Sequence, residues 1–294
     1  QREFAEAIFE QIKGFSEYGF PESHAASFAL LVYASCWIKC HHPAEFLAAM
    51  LNSQPLGFYS ASQLVQDAKR HGVEVRRVDV MSSEWDCTLE GLPHPPAVRL
   101  GLRLVAGLKA ESALRILKAR RERPFDGAED LARRAEIEQH EMTLLAAADA
   151  LMSLAGHRRQ QVWEAAGQRS APQLLKQAPV NEEELELPAA PEGEEVVWDY
   201  AATGLTLRRH PLAILRPVLA KQGWCTAAEL HDLPDGRLAR ACGIVTVRQQ
   251  PETAKGVMFV SLEDETGSVQ VIVWPKLKAQ LRGPLLRSKL MAVK

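Results

Sequence analysis

The period of the hydrophobic pattern changes along this chain, and that change restricts the possible folds more than any other feature. Apolar residues recur at helical spacing through residues 1–72 and again through 99–168. Residues 239–294 instead alternate as strands do, and a short strand-like stretch lies at 73–98. A chain of 294 residues is long enough for two or three domains. The sequence therefore predicts a multidomain, mainly α-helical protein that ends in an all-β domain.

The helical and strand-forming parts are separated by residues 169–195, which are rich in Gln, Pro, Ala and Glu and have no period. Such a composition is typical of a linker. We expect five segments, namely the helices of 1–72, a strand-containing connector with two helical hairpins at 73–168, this acidic linker, a short helical connector at 196–235 and the β domain at 236–294.

The predicted helix at 23–39 is apolar nearly all round, which predicts that it is buried. The longest apolar run, at 25–38, is shorter than the ~20 residues that span a bilayer. The cysteines are odd in number and widely scattered, and such a set does not make a disulfide framework. We therefore expect a reducing, cytoplasmic setting for Cys36, Cys40, Cys87, Cys225 and Cys242.

The last sixty residues predict a particular order of strands. Strands are expected at 239–248, 257–263, 268–274 and 289–294, with a helix at 276–281 between the third and the fourth. This is the order of a five-stranded OB barrel without its final strand. A barrel one strand short exposes an unpaired edge, so we expect the natural chain to continue.

The net charge is close to zero, but the charges are unevenly distributed. The formal charge is 35 − 37 = −2, which by itself predicts no partner. Residues 177–207 contain eight acidic residues and no basic one, whereas 99–134 contain ten basic against five acidic and 236–294 contain ten basic against four acidic. An acidic segment between two cationic ones is the pattern expected of a polyanion-binding protein.

A candidate phosphate site lies at residues 104–110, Leu-Val-Ala-Gly-Leu-Lys-Ala, ahead of a helix. A helix–hairpin–helix turn presents free backbone amides at the start of its second helix and binds phosphate without reading sequence. Such turns usually contain two glycines. In this chain the first of the two positions is Gly107 and the second is Lys109. An ordinary corner between helices, with Gly107 as C-cap, explains the pattern equally well. The further basic candidates for DNA binding by the hairpins are Lys118, Arg120, Arg121, Arg133 and Arg134.

The β domain offers candidates for binding a single strand. OB strands often combine a cationic groove with aromatic residues on which bases stack, worth ~1–3 kcal/mol per base. Phe259 and Trp274 are the aromatic candidates, although the alternation around Phe259 is also compatible with a side chain in the barrel core. The accompanying cations are Arg248, Lys255, Lys276, Lys278 and Arg282.

The start of the apolar helix is a further candidate for phosphate contact. Ser23 is expected to be its N-cap, His24 lies in its first turn, and Lys13 precedes it. A capping and packing role explains these residues equally well.

Cysteine and histidine cluster at the other end of that helix, but we predict no metal site there. Cys36 and Cys40 are one turn apart, and adjacent histidines such as His41 and His42 rarely turn toward one ion. We interpret the cluster as small buried thiols at a helix terminus.

No pattern predicts a catalytic residue or a bound cofactor in this chain. Two-metal nucleotidyl transfer needs closely spaced aspartates on strands. The tight acidic cluster Glu263-Asp264-Glu265 lies at a strand-to-turn junction before Gly267, where acidic residues normally stabilise the turn. Neither a P-loop nor a G-x-S-x-G motif is present.

Five stretches together resemble the error-prone branch of the bacterial C-family DNA polymerases, the relatives of the polymerase III alpha subunit. Two stretches are similar to the end of the fingers domain, Tyr-Gly-Phe-Pro-Glu-Ser-His-Ala-Ala-Ser-Phe-Ala at 18–29 and Trp-Ile-Lys-Cys-His-His-Pro-Ala-Glu-Phe at 37–46. Arg-Leu-Gly-Leu-Arg-Leu-Val-Ala-Gly-Leu at 99–108 resembles the entry to tandem helix–hairpin–helix motifs. Thr-Gly-Leu-Thr-Leu-Arg-Arg-His-Pro-Leu at 203–212 and the stretch 247–267 are more particular to the error-prone branch.

The resemblance implies an enzyme that extends DNA from deoxynucleoside triphosphates in damage-induced synthesis, with Mg²⁺ held by palm aspartates outside this sequence. The hairpins would grip the duplex, and the OB domain would lie near the single-stranded template. The fingers residues that would border the nascent base pair are Lys13, Ser23, His24 and Lys39.

The resemblance also bears on protein partners. Replicative members carry a sliding-clamp peptide between hairpins and barrel, but the matching stretch here, residues 171–177, lacks the usual aromatic residue. We expect accessory proteins of the mutagenesis pathway to recruit the enzyme, so that clamp contact is indirect. Two alternatives to a polymerase portion are a stand-alone DNA-binding module and a protein-docking scaffold.

Overall fold

The protein folds as two compact units. The computed structural model describes residues 4, 6–10, 22–57, 59–91, 95–167 and 185–294, and for residues 22–24 it describes only the backbone. The first unit comprises residues 1–76 and 83–101, and the second comprises 77–82 and 102–294. No helix within the described ranges is both long and apolar enough to cross a membrane.

The first unit combines helices with a small three-stranded sheet. Its helices are α1 (Glu22–His41), α2 (Pro43–Asn52) and α3 (Ala61–Arg70). Its strands are β1 (Val75–Arg76), β2 (Thr88–Glu90) and β3 (Ala97–Arg99). Strand β3 is central, because it pairs in parallel with β1 and antiparallel with β2.

A buried core and a pair of hydrogen bonds hold the helices of this unit on its sheet. Leu51, Val65 and Val98 are fully buried. The Asn52 side chain donates to the Cys87 carbonyl at 2.9 Å and accepts from the Cys87 amide at 2.7 Å. The side-chain amide of Asn52 thus pairs with both the carbonyl and the N–H of Cys87. This contact fixes the end of α2 beside the residue that precedes β2.

The prediction that the apolar helix is buried was wrong. Helix α1 is exposed along residues 26–41, and Leu30 and Tyr33 keep 71% and 70% of their surface. Cys36 and Cys40 are exposed as well, so they are not the buried thiols expected from sequence. An apolar helix is buried only if other elements pack against it, and the sequence pattern of the helix does not show whether they do. In the described part of this unit, α1 packs chiefly on α2.

The second unit begins with two helical hairpins. The helices of this part are α4 (Ala110–Glu122), α5 (Ala128–Arg134), α6 (Gln139–Ala147), α7 (Met152–Ala155) and α8 (Arg158–Gly167). The 3-10 turn at Leu102–Leu104 contacts α4, and the two form hairpin 1. The next two helices, α5 and α6, are joined by a short turn and are called hairpin 2. The helices that follow residue 185 are α9 (Glu192–Thr203), α10 (Pro211–Lys221) and α11 (Ala227–His231).

The C-terminal part of this unit is a curled, four-stranded antiparallel half-barrel. Its strands are β4 (Ala241–Gln249), β5 (Met258–Glu263), β6 (Ser268–Val273) and β7 (Leu290–Val293), in the spatial order β6-β5-β4-β7. Helices α12 (Pro275–Gln280) and α13 (Arg282–Arg287) lie between β6 and β7 in sequence. The prediction of a mainly α-helical protein followed by an incomplete OB barrel is therefore confirmed; the five segment boundaries stay a prediction.

Alternation along the strands decides which side chains form the core of the half-barrel. Met258, Val260 and Leu262 alternate inward along β5 and pack with Leu285 and Met291. The residues between them on β5 face away from this core, as a period of two requires.

A buried network of charges joins α9 to the hairpin region. The guanidinium of Arg158, which is 3% exposed, donates to the Glu195 carbonyl at 2.8 Å and to the Asp199 carboxylate. Arg208 donates to the carboxylates of Asp149 at 3.1 Å and Glu195 at 2.8 Å. Buried charges of this kind are tolerated only when each is paired and hydrogen-bonded.

A second arginine joins α10 to the half-barrel. Arg216 donates to Asp264 at 3.2 Å and to Glu265 at 2.5 Å. Asp264 also accepts from the amides of Thr266 and Gly267, at 2.8 and 3.1 Å. The acidic cluster thus stabilises its turn, as the sequence predicted, and the same carboxylates anchor the connector.

Gly243 offers a test of the half-barrel packing. A Cβ atom on Gly243 would lie 2.7 Å from the Leu262 Cβ and 2.9 Å from the Glu263 amide nitrogen, closer than such atoms can approach. We expect Gly243→Ala to lower the stability of the half-barrel by about 1–3 kcal/mol, measured by thermal unfolding. The matched control is Gly283→Ala, because nothing lies within 4 Å of a Cβ there. Equal stability of the two variants would contradict the close β4–β5 approach.

Candidate nucleic-acid interface

Hairpin 1 presents the start of α4 through a glycine turn. Gly107 has a φ of 82°, and Lys109 takes an extended conformation as the N-cap. The Ala106 amide donates to the Ala202 carbonyl at 2.8 Å, and a Cβ on Gly107 would meet Leu144 at 3.3 Å. The turn is therefore fixed on both sides. Beyond it, the first amides of α4 have no intrahelical partner, which is the arrangement that binds anions.

Three of the predicted cations lie on exposed surface of hairpin 1, one at the start of α4 and two in its C-terminal half. Lys109 is at the cap, and Lys118 and Arg121 are one turn apart on α4. Leu114 precedes Lys118 by one turn and is 59% exposed, so this side of the helix faces solvent. Residues spaced by three and four positions share one face of a helix, so Lys118 and Arg121 point the same way.

Two other predicted cations are occupied by backbone carbonyls within the same unit. Arg120 donates to the Val80 carbonyl at 2.9 Å. Arg134 donates to the carbonyls of Pro124 and Arg123, at 3.2 and 3.0 Å, and lies 5.0 Å from the Phe125 ring centroid. These contacts stabilise the hairpin fold, so neither guanidinium is as available to a ligand as Lys118.

Asp130, on α5, accepts hydrogen bonds from three arginines. Its buried carboxylate accepts from Arg123 at 3.1 Å, Arg133 at 2.9 Å and Arg134 at 3.2 Å. Burial raises the pKa of Asp130, but the hydrogen bonds from Arg133, from the Asp126 amide and from Arg134 outweigh it and hold the pKa below its ordinary value. The predicted DNA contact Arg133 thus has an internal partner.

Hairpin 2 differs from hairpin 1 at the equivalent helix start. Glu138 and Glu141 form a capping box, in which each carboxylate accepts the other residue's amide. Arg115 donates to Glu141 at 3.3 Å and to the carbonyl of Ala135 at 3.0 Å. Amides already paired with carboxylates do not offer an anion site. This difference was not predicted from the sequence, although Glu138 and Glu141 have the three-residue spacing of a capping box.

The half-barrel exposes its aromatic candidates on the outer face. Phe259 lies between the inward Met258 and Val260, so it points away from the core and is half-buried. It pairs with Ile272 of β6, which is 52% exposed. Trp274 follows two positions later in extended conformation and is 64% exposed. Alternation therefore brings all three side chains to one face of the sheet.

The predicted cations of the half-barrel have different environments. Arg248 donates to the Leu285 carbonyl at 2.6 Å and to the Ser288 carbonyl, so it fastens α13. Lys255 is exposed in the β4–β5 loop, with a left-handed φ of 48°. Lys276 is exposed on α12.

The first unit contributes fewer described side chains. Lys13 lies outside the described residues, and the side chains of Ser23 and His24 do as well. Helix α1 begins at Glu22, so Ser23 lies inside its first turn rather than at the predicted N-cap position. Lys39 forms an ion pair with Asp67 at 2.7 Å. Among the described residues, no group of three or more His, Cys, Asp or Glu could hold a metal ion.

Comparison with known proteins agrees with this geometry. Residues 72–161 match the family model described as a helix-hairpin-helix motif. The chain is 56% identical to the error-prone DNA polymerase of Bordetella parapertussis over 99% of its own length, and 54% identical to that of Azoarcus sp. over the same share. For Methylococcus capsulatus the identity is 50% over the whole chain.

The chain spans 28% of the length of the first two of these relatives and 30% of the third. The resemblance to error-prone DNA polymerases that the sequence motifs predicted is confirmed.

Asp130 predicts a pH dependence of stability. Its pKa is lowered in the folded chain, so its contribution is complete above the unfolded pKa of about 3.9 and is lost as the pH falls through the lower folded value. We expect Asp130→Asn to lower the stability at neutral pH by about 1–3 kcal/mol and to weaken the acid sensitivity of unfolding. Thermal unfolding by circular dichroism between about pH 7 and pH 3 measures both effects.

The neighbouring Asp126→Asn is the control, because the Asp126 side chain is 77% exposed. An acid profile of Asp130→Asn identical to that of the unaltered chain would show that the three arginines do not depend on this carboxylate.

Proposed function

We propose that this chain is the DNA-binding, C-terminal portion of an error-prone DNA-directed DNA polymerase used in damage-induced, translesion synthesis. The observation that carries the proposal is identity of 50–56% over nearly the whole chain to proteins of that name, of which it spans 28–30%. In this proposal the catalytic palm, with its Mg²⁺ and deoxynucleoside triphosphates, lies outside the chain. The chain contributes binding and positioning of DNA and no catalytic residue.

The hairpin region holds the duplex through its backbone phosphates in this proposal. The first amides of α4 carry the positive end of the helix dipole, and Lys109, Lys118 and Arg121 add formal charge on accessible surface. Contacts to phosphate position a protein on DNA without reading base sequence. This suits a polymerase, which must slide along any template.

Hairpin 2 has a supporting role. Its capping box closes the helix start that would otherwise meet a phosphate, and Leu144 of α6 packs against Gly107 of hairpin 1. We therefore assign the phosphate grip to hairpin 1 and the support of its turn to hairpin 2. Arg120, Arg133 and Arg134 act through the scaffold, since each already donates to the protein.

The half-barrel binds single-stranded template through its outer face. Phe259 and Trp274 provide surfaces on which bases stack, and Ile272 lies beside them. Lys255 and Lys276 are exposed cations near the ends of β5 and β6. In this position they reach the phosphates of single-stranded DNA that crosses the sheet. Stacking tolerates every base, which again suits a template of arbitrary sequence.

The proposal includes a cytoplasmic setting and recruitment by accessory proteins of the mutagenesis pathway. Direct contact with the sliding clamp is not part of it, because residues 171–177, which lie outside the described residues, lack the usual aromatic residue.

Removal of two exposed cations tests the phosphate grip. We expect the double change of Lys118 and Arg121 to alanine to weaken binding to primer–template DNA and to reduce the salt slope by about 1–2, because each lost phosphate contact contributes about 0.9. Fluorescence anisotropy across a salt series measures both quantities.

Lys221 and Arg237, changed together to alanine, make a charge-matched control, since both are exposed and lie outside the hairpins. If the control pair weakens binding as much as the hairpin pair, the effect is one of net charge. If the folded, unaltered chain binds no DNA at low salt, the chain is better explained as a protein-docking scaffold.

Removal of the two aromatic residues tests the single-strand face. We expect Phe259→Ala with Trp274→Ala to reduce affinity for single-stranded DNA by about 2–6 kcal/mol, from ~1–3 kcal/mol per stacked base, and to change duplex binding little. Trp163→Ala is the control, because Trp163 is 54% exposed on α8, away from the half-barrel. Unchanged single-strand affinity of the double variant would remove the outer face from the proposal.

A further inference from the structure

An apolar groove opens beside the half-barrel, apart from the aromatic face. It lies between α12, α13 and the loop after β4, and its volume is about 530 Å³. Its floor consists of Met258, Pro275, Ala279, Leu285 and Leu286. Met258 and Leu285 also belong to the barrel core, whereas Leu286 is 51% exposed at the surface. The volume is within the range of pockets that hold a ligand or several peptide side chains.

The two charged residues that line the groove, Lys278 and Arg282, are both basic. Residues 275–294 contain six basic residues and no acidic one. Lys278 and Arg282 form the rim of the groove. The Lys278 ammonium donates to the neutral Gln250 side chain, so its charge is not cancelled. Within the described part of the chain, no carboxylate forms an ion pair with any of the six.

A basic rim attracts both nucleic acid and acidic peptides, and the residues that line the groove favour one of the two. Nucleic-acid bases bind by stacking on planar side chains, and the groove has an aliphatic floor with no aromatic residue. The aromatic residues Phe259 and Trp274 lie on the outer face of the sheet instead. An aliphatic groove with a cationic rim suits a peptide that carries apolar side chains among carboxylates.

We propose that this groove is a docking site for an acidic segment of a partner protein. Apolar side chains of the segment fill the floor over Leu285 and Leu286, and its carboxylates pair with Lys278 and Arg282. None of the proposed DNA contacts of the outer face (Phe259, Ile272, Trp274, Lys255, Lys276) lines the groove, so we expect one half-barrel to take single-stranded DNA and a protein segment at the same time. The inference does not require the phosphate grip of hairpin 1.

A fluorescein-labelled peptide with aspartates on both sides of a Leu-Phe pair is the probe, and its anisotropy with the 294-residue chain is the readout. We expect binding that weakens with salt, because it involves charge pairs. Changing Lys278 and Arg282 together to alanine should weaken it about tenfold or more. Leu286→Ser should do the same by removing the floor.

The matched control is the joint change of Arg287 and Lys289 to alanine, which removes the same charge from exposed residues that do not line the groove. It should alter peptide affinity by less than about twofold, because these side chains do not line the groove and exposed charges are screened. Two further probes, with the aspartates replaced by asparagine or the Leu-Phe pair by serine, should both bind weakly.

Thermal unfolding by circular dichroism reports that the half-barrel of each variant is folded, and Phe259→Ala with Trp274→Ala should leave peptide binding unchanged. Three results would overturn the proposal: no peptide binding by the folded chain, equal loss in the groove and control variants, or displacement of the peptide by oligothymidylate. The last result would assign the groove to nucleic acid.

Discussion

The second unit depends on a buried group of charges centred on Arg158. Its guanidinium holds Glu195 and Asp199 of α9, while Arg208 from the following loop reaches Asp149 and Glu195. Removing such charges from water is costly, and they are stable only because each has several partners. Removal of either arginine leaves the three carboxylates with fewer cationic partners, so the network favours one position of α9 on the hairpin region.

That position has consequences for the candidate DNA-binding surface. The carbonyl of Ala202, near the end of α9, accepts the Ala106 amide of hairpin 1. The same helix therefore meets the turn that presents Lys109. Further along, Arg216 of α10 holds Asp264 and Glu265 at the edge of the half-barrel. Two arginine-centred contacts thus connect the turn of hairpin 1, where we propose phosphate binding, to the half-barrel, where we propose base stacking. In the proposed function, this connection keeps the duplex and the single-stranded template in one register.

The half-barrel shows how one small domain can present two chemically different surfaces. Alternation along β5 sends Met258 to the core and Phe259 to the outer face, so an aromatic surface forms without any loss of core packing. The helices between β6 and β7 then add an aliphatic groove with a basic rim. Aromatic surfaces favour stacked bases, whereas an aliphatic groove favours the apolar side chains of a peptide, and this difference separates the proposed DNA and protein contacts.

The sequence by itself determined the order and type of the elements. Period, glycine turns and the strand–strand–strand–helix–strand order predicted the hairpins and the incomplete barrel, because backbone geometry makes these signals local. Sequence motifs also identified the polymerase resemblance. Only the tertiary structure decided what each side chain does. It exposed α1, turned Phe259 outward, and directed Arg120, Arg134 and Arg248 to backbone carbonyls while leaving Lys118 on the surface. The reason is that a charge or an apolar face takes its role from its partners, and those partners lie 10 to 40 positions away in the sequence.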